Sequence, residues 1–84
     1  MSLPASSTLL AYNDPGYCAP TPADVRAVIE LLNLTADQVA ALVGMKDGRA
    51  VRRWLASLDS KTHAQIDYAA WRLLLIEAGL AQAR

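Results

Sequence analysis

Apolar residues recur along this chain at spacings of three and four, which predicts helices, and no segment alternates as a strand would. A first helix is expected to begin at Thr21, because Thr21 and Asp24 form a capping box and Pro22 suits the first helical position. Its inward stripe comprises Val25, Val28, Ile29 and Leu32. Asn33 tolerates a left-handed backbone and is expected to end this helix.

The stretch 34–55 predicts two short helices joined by a glycine turn. Thr35 and Gln38 form a second capping box, which begins the first of the two. Gly44 is the permissive residue that ends this helix, which is expected to span about 36–43.

A third helix is expected over about 48–56, with Asp47 as its N-cap. Its inner face holds the apolar residues Val51, Trp54 and Leu55. Its outer face holds the basic residues Arg49, Arg52 and Arg53. The pattern therefore predicts a short helix with one side in the core and the other positively charged.

Two short helices, a glycine turn and a basic outer face on the second helix are the layout of a helix-turn-helix. At these positions the sequence resembles the Xre/Cro-type (lambda-repressor-like) regulators of bacteria and phages. The residues that carry the resemblance are Leu34, Thr35, Ala40, Gly44, Val51, Arg53 and Trp54. The resemblance implies a small all-α domain of four to five helices, with a DNA-binding domain at 21–80.

Residues 1–20 are predicted to form an irregular arm, because prolines and an Asn-Asp-Pro-Gly turn interrupt them. The arm contains apolar and aromatic side chains that need burial: Leu9, Leu10, Tyr12 and Tyr17. It carries no lysine or arginine, which argues against contact with DNA. We expect it to pack across the domain or a neighbouring subunit.

A last helix is predicted over 62–78, opened by a capping box of Thr62 and Gln65 and stopped by Gly79. Its apolar residues form two stripes, one of Ile66, Ala69, Ala70, Leu73 and Ile76 and another of Tyr68, Trp71 and Leu75. A helix that is apolar on two sides needs two partners, and these are expected to be the core and a second copy of the chain. The pattern leaves open which stripe faces which partner. The candidates for dimer contacts are Tyr68, Trp71 and Leu75, with Trp71 equally suited to the core.

The composition describes one small domain of 84 residues, 54% of them hydrophobic, without room for a cleft between lobes. So high an apolar share suggests association with a second subunit. The formal net charge is zero, which argues against a polybasic coat that binds nucleic acid without specificity. Half of the eight basic residues nevertheless lie within eight positions, as Lys46, Arg49, Arg52 and Arg53.

The reactive residues are sparse and argue against an enzyme, a metal site or a cofactor. Cys18 is the only cysteine, so no intrachain disulfide forms and a reducing, cytoplasmic location is expected. His63 is the only histidine and is expected in the first turn of the last helix. Neither a signal peptide nor a membrane-spanning apolar run is visible.

In a helix-turn-helix the second helix lies in the major groove, with its first residues at base edges. Arg49 is therefore the candidate for a bidentate contact with guanine, which is worth ~1–3 kcal/mol of discrimination. The other candidate contacts are Arg52 and Arg53 to bases or phosphates, and Lys46, Lys61 and Thr35 to the backbone. We predict sequence-specific binding of double-stranded DNA by a homodimer that reads an inverted repeat and represses transcription.

Two alternatives stay open at this point. The scaffold and its apolar last helix could serve as an interaction module for a partner protein, such as a toxin or a regulator. An excisionase-like architectural role would bend DNA without repression.

Overall fold

The computed structural model describes residues 3–82, and these form a short 3₁₀-helix followed by four α-helices. The elements are the 3₁₀-helix Ser6–Leu9, α1 Pro22–Leu32, α2 Ala36–Leu42, α3 Arg49–Leu55 and α4 Tyr68–Glu77. No strand occurs between residues 3 and 82, and the predicted all-α fold class is confirmed. No helix in this range is long and apolar enough to cross a membrane.

The two predicted capping boxes at α1 and α2 are both present. Thr21 Oγ1 accepts the Asp24 N–H at 3.3 Å, and Asp24 Oδ2 accepts the Thr21 N–H at 2.9 Å. At α2, Thr35 Oγ1 accepts the Gln38 N–H at 3.2 Å, and Gln38 Oε1 accepts the Thr35 N–H at 2.9 Å. Each box satisfies two amides that the helix itself leaves without partners.

The predicted helix ends at Asn33 and Gly44 are also confirmed. Asn33 lies in the left-handed region with φ 55°, and Gly44 does so with φ 81°. Beyond Gly44, the Met45 N–H returns to the Ala40 carbonyl at 2.7 Å, which closes the end of α2. The turn that follows leads directly to α3.

The predicted start of the last helix at Thr62 is wrong. α4 begins at Tyr68, and Asp67 Oδ2 caps it by accepting the Ala70 N–H at 3.2 Å. Thr62 and Gln65 form no capping box, since the Thr62 N–H donates to Ser60 Oγ and Gln65 Nε2 donates to the Pro20 carbonyl. The contact of Thr62 is local and that of Gln65 reaches a residue 45 positions earlier, so neither side chain caps a helix and residues 62–67 form a loop.

The core lies where α1 packs against both α3 and α4, and where α2 packs against α3. Its buried members are Val25, Val28, Ile29, Val39, Ala40, Val51, Trp54, Ile66, Ala70, Trp71, Leu74 and Leu75. All four α-helices of the described range contribute to this core. The prediction that Val51 and Trp54 belong to the core is confirmed.

The N-terminal arm packs on its own domain. Trp71 Nε1 donates to the Thr8 carbonyl at 3.0 Å, and Thr8 is itself buried. Ala5 N–H donates to Asp24 Oδ1 at 2.9 Å, which ties the arm to the first turn of α1. The arm therefore covers the side of α4 that carries Trp71 within a single chain.

Candidate nucleic-acid interface

The start of α3 is fastened to the first turn of α2. Gly48, the residue before α3, is buried, and its N–H donates to Asp37 Oδ1 at 2.8 Å. A Cβ at this position would lie 2.7 Å from Asp37 Oδ1 and 3.0 Å from the Ala36 backbone. Only glycine permits so close an approach. The hydrophobic pattern along the chain does not indicate this contact between Gly48 and the first turn of α2.

The predicted N-cap at Asp47 is corrected by one residue. Gly48 occupies the N-cap position of α3 and makes no side-chain cap. Asp47 lies just outside the helix, where its Oδ1 accepts the Arg49 N–H at 3.0 Å. The short polar side chain thus still satisfies an amide at the helix start, as such residues commonly do in turns.

α3 divides into an inner and an outer side, as the sequence predicts. Val51 and Trp54 are 0% and 4% exposed, respectively, and lie in the core. The exposed basic residues of α3 and of the turn before it are Lys46, Arg49, Arg52 and Arg53, which we call the basic face. The side chain of Arg49 is 80% exposed. The basic face is therefore open to a large polyanionic partner.

Arg49 is paired with Asp47 in a chelating arrangement. Arg49 Nε lies 3.3 Å from Oδ1 and 3.2 Å from Oδ2 of Asp47, and Nη2 lies 3.0 Å from Oδ2. The hydrogen bond from the Arg49 side chain, followed by that from its backbone N–H, lowers the pKa of Asp47. The same carboxylate raises the pKa of Arg49. Both groups therefore carry their charges at neutral pH.

The remaining DNA-contact candidates lie around this helix and are exposed. Arg53 Nε donates to the Thr62 carbonyl at 3.1 Å, so Arg53 is held beside the loop that carries Lys61. Thr35 caps α2, whose first turn is bound to the start of α3 through Asp37. The fold thus brings Thr35 and Lys61 toward the two ends of α3, while their contact with DNA stays a prediction.

Two of the three predicted dimer contacts are corrected. Trp71 and Leu75 are both 0% exposed within the single chain, so neither is available to a second copy. Tyr68 is half-buried, and its ring lies 5.1 Å from that of Tyr12 and 5.6 Å from that of Tyr17. On α4 the largest exposed apolar side chain is Leu73, at 44% exposure.

The tyrosine cluster is a feature that the sequence analysis missed. Tyr12, Tyr17 and Tyr68 contact one another and line an open cleft of about 620 Å³. Burial, and then the two neighbouring phenols, raise the pKa of Tyr17. The three residues are far apart in sequence or belong to the irregular arm, so no local pattern unites them.

His63 lies outside the helix in which it was predicted. Because α4 begins at Tyr68, His63 belongs to the preceding loop, where Nδ1 lies 3.0 Å from the Ala56 carbonyl oxygen. Cys18 is exposed in the arm. Between residues 3 and 82 no three histidine, cysteine or carboxylate side chains are grouped to hold a metal ion.

Comparison with known proteins identifies a relative of this chain. The chain is 40% identical over 66 residues to the transcriptional repressor protein KorC of Escherichia coli, a match that covers 76% of this chain and 72% of KorC. The chain belongs to the KorC family. No protein-family model matches it. Membership of the KorC family does not test the finer resemblance to Xre/Cro-type regulators, which stays a prediction.

Proposed function

We propose that this protein binds double-stranded DNA sequence-specifically and represses transcription. One observation carries the proposal: α3 buries Val51 and Trp54 and leaves Arg49, Arg52 and Arg53 exposed on its other side. The KorC relative is a transcriptional repressor protein, and this supports the proposal.

In this proposal α2, the Gly44 turn and α3 act as a helix-turn-helix. An α-helix with its side chains is about 10–12 Å across, which matches the major groove of B-DNA at about 12 Å. Arg49 is the first residue of α3, the place from which recognition helices reach base edges. Arg52 and Arg53 extend the contact or hold phosphates, and Lys46, Lys61 and Thr35 face the DNA backbone.

We further propose that two copies read an inverted repeat. The described part of the chain has a longest extent of 29 Å, whereas successive major grooves on one face of DNA are about 34 Å apart. One domain with a single α3 therefore reads one half-site. Leu73, exposed on α4, is the proposed centre of the contact between copies. Occupation of a promoter by this dimer would exclude polymerase.

The deciding experiment is a fluorescence-anisotropy titration against DNA from upstream of the protein's own gene, with scrambled DNA as control, over a series of salt concentrations. We expect tighter binding to the native DNA and a steep loss of affinity as salt rises. Arg49→Ala and Arg53→Ala should weaken specific binding while the helical circular dichroism is unchanged. Arg72→Ala, on α4, removes the same charge from a side chain that contacts the Leu9 and Gln82 carbonyls rather than α3, and it should leave the preference intact. Equal, weak binding to both DNAs would reject the regulator for that promoter.

A protein-interaction module is the second candidate, and the tyrosine cluster with its exposed member Tyr12 favours it. Tyr12 is 67% exposed beside Tyr17 and Tyr68, and tyrosine is enriched where proteins contact one another. In this case a toxin or regulator would be the partner. Tyr12→Ala would abolish its binding, whereas Arg49→Ala would leave it unchanged.

A further inference from the structure

The Asp47–Arg49 pair leaves one particular edge of the guanidinium free. Asp47 accepts from Nε and Nη2, the two donors along one side of the group. A guanidinium presents five N–H donors in a fixed plane, so the end formed by Nη1 and the second hydrogen of Nη2 stays open. This end offers two parallel donors. Guanine presents two neighbouring acceptors, O6 and N7, in the major groove.

The pair rests on a fixed piece of backbone. Asp47 and Arg49 flank Gly48, which is buried against α2 and bound to Asp37 at 2.8 Å. Oδ1 of Asp47 also accepts the Arg49 backbone N–H, so the carboxylate is held to the same turn. Asp47 therefore fixes the free end of the guanidinium relative to α2 and α3, and the Arg49 side chain does not rotate freely.

We infer that Asp47 is a positioning residue that directs the free end of Arg49 to a guanine. Asp47 also lowers the affinity of Arg49 for phosphate. The inference rests on the proposed function and deepens it, because it names the base that is read and the residue that orients the reader. Holding Arg49 in one geometry before binding reduces the entropy lost on contact. Two parallel hydrogen bonds to O6 and N7 then distinguish guanine from the other bases.

The carboxylate also acts against phosphate. A negative charge 3.0 Å from Nη2 weakens the attraction that Arg49 has for the DNA backbone at any sequence. Within residues 3–82, Arg52 and Arg53 have no carboxylate within ion-pair distance, and Arg53 Nε contacts a neutral carbonyl instead. The structure thus assigns different tasks to neighbouring arginines: Arg49 to a base, and Arg52 and Arg53 to phosphates or further bases.

The test uses DNA that the full wild-type chain selects from a random library. Each guanine of the selected site is replaced in turn by 7-deazaguanine, which lacks N7, and binding is measured by anisotropy. We expect one guanine per half-site to lose about 5- to 150-fold in affinity for the wild type. In Arg49→Ala this loss of affinity should vanish. In Asp47→Asn the logarithm of the fold-loss should be less than half of its value in the wild type. The Asp47→Asn chain should still fold, because the amide oxygen of the new side chain can accept the Arg49 N–H.

Glu30→Gln is the matched control. It removes an exposed carboxylate from α1, with the same change in charge, and should keep the full penalty at that guanine. A penalty in Asp47→Asn equal to that of the wild type would overturn the inference and leave the proposed function standing. Failure of the wild type to select any sequence would overturn both. Should Asp47→Asn unfold, Asp47→Glu serves instead, since it keeps the charge, displaces the carboxylate and is judged by the same penalty.

Discussion

Asp47 and Arg49 share a charge pair at the start of α3, so the titration of one reports on the other. We expect carbon-13 NMR to place the pKa of Asp47 below the ordinary 3.8, because the guanidinium and the backbone N–H of Arg49 favour the ionised carboxyl. A folded pKa below the unfolded one stabilises the fold above the unfolded pKa. This contribution is lost as pH falls through the folded pKa.

Arg49→Ala should return the pKa of Asp47 toward 3.8. Asp59 provides the control, since a hydrogen bond from Ser57 lowers its pKa and Arg49 has no part in this. An Asp47 pKa that does not move in Arg49→Ala would mean that the pair is absent in solution.

Gly48 is constrained by space rather than by its dihedral angles, since its φ is −79°. A methyl group there would press on Asp37 Oδ1 at 2.7 Å and on Ala36 at 3.0 Å. We expect Gly48→Ala to lower the free energy of unfolding by about 1–3 kcal/mol in urea denaturation, as overpacked sites do. Gly16→Ala is the control, because its Cβ would meet neighbours at 3.3 Å in the exposed arm and should cost less. Equal losses would argue against a tight contact between α2 and α3.

At the scale of elements, α4 owes its start to Asp67 and not to Thr62. Asp67→Ala removes the side chain that accepts the Ala70 N–H, and we expect a loss of about 1 kcal/mol in the free energy of unfolding. Thr62→Ala should cost less than about 0.5 kcal/mol, since its exposed side chain caps no helix. Thermal denaturation followed by circular dichroism measures both. A larger loss at Thr62 would support a helix that begins there.

The capping boxes at Thr21 and Thr35 form, whereas the one predicted at Thr62 does not. The boxes at Thr21 and Thr35 were predictable, because each is closed by a partner three residues away. The same pattern at Thr62 forms no capping box, because the backbone there is hydrogen-bonded to Arg53 on α3. The Thr62 carbonyl accepts from Arg53 Nε, and the Ala64 N–H donates to the Arg53 carbonyl. Contacts of this kind have no local signature.

The two apolar stripes of α4 illustrate the same limit. Periodicity indicates that both stripes need cover. It does not show that Trp71 is wholly buried, because the arm that covers it and accepts its indole N–H at the Thr8 carbonyl lies 63 residues earlier. The arm therefore covers part of the surface of α4 for which a second copy of the chain was one expected partner. The outer face of α3 was predictable, because four of eight basic residues fall within it and its turn. The orientation of Arg49 by Asp47 was not, since Asp47 had a simpler use as a cap.

For the whole molecule, the distribution of charge matters more than its sum. The net charge is zero, yet the basic face gathers four exposed basic residues on α3 and the turn before it. A neutral body gives little general attraction to DNA, so binding relies on the contacts of this face. Such a molecule gains affinity most readily by using two copies of the face on one DNA.

The dimension of the domain makes that arrangement testable through the spacing of half-sites. In the proposed dimer, a longest extent of 29 Å limits each copy to one half-site, and the contact between copies fixes the distance between their two α3 helices. Inserting five base pairs between half-sites turns one of them by about half a helical turn, to the opposite side of the DNA. We expect affinity to fall to that of DNA with a single half-site, which is the control in the same anisotropy assay. Leu73→Glu, which charges the proposed contact between copies, should bind both spacings equally and sediment as a monomer. Undiminished binding of the wild type to the lengthened site would show that each chain reads DNA alone.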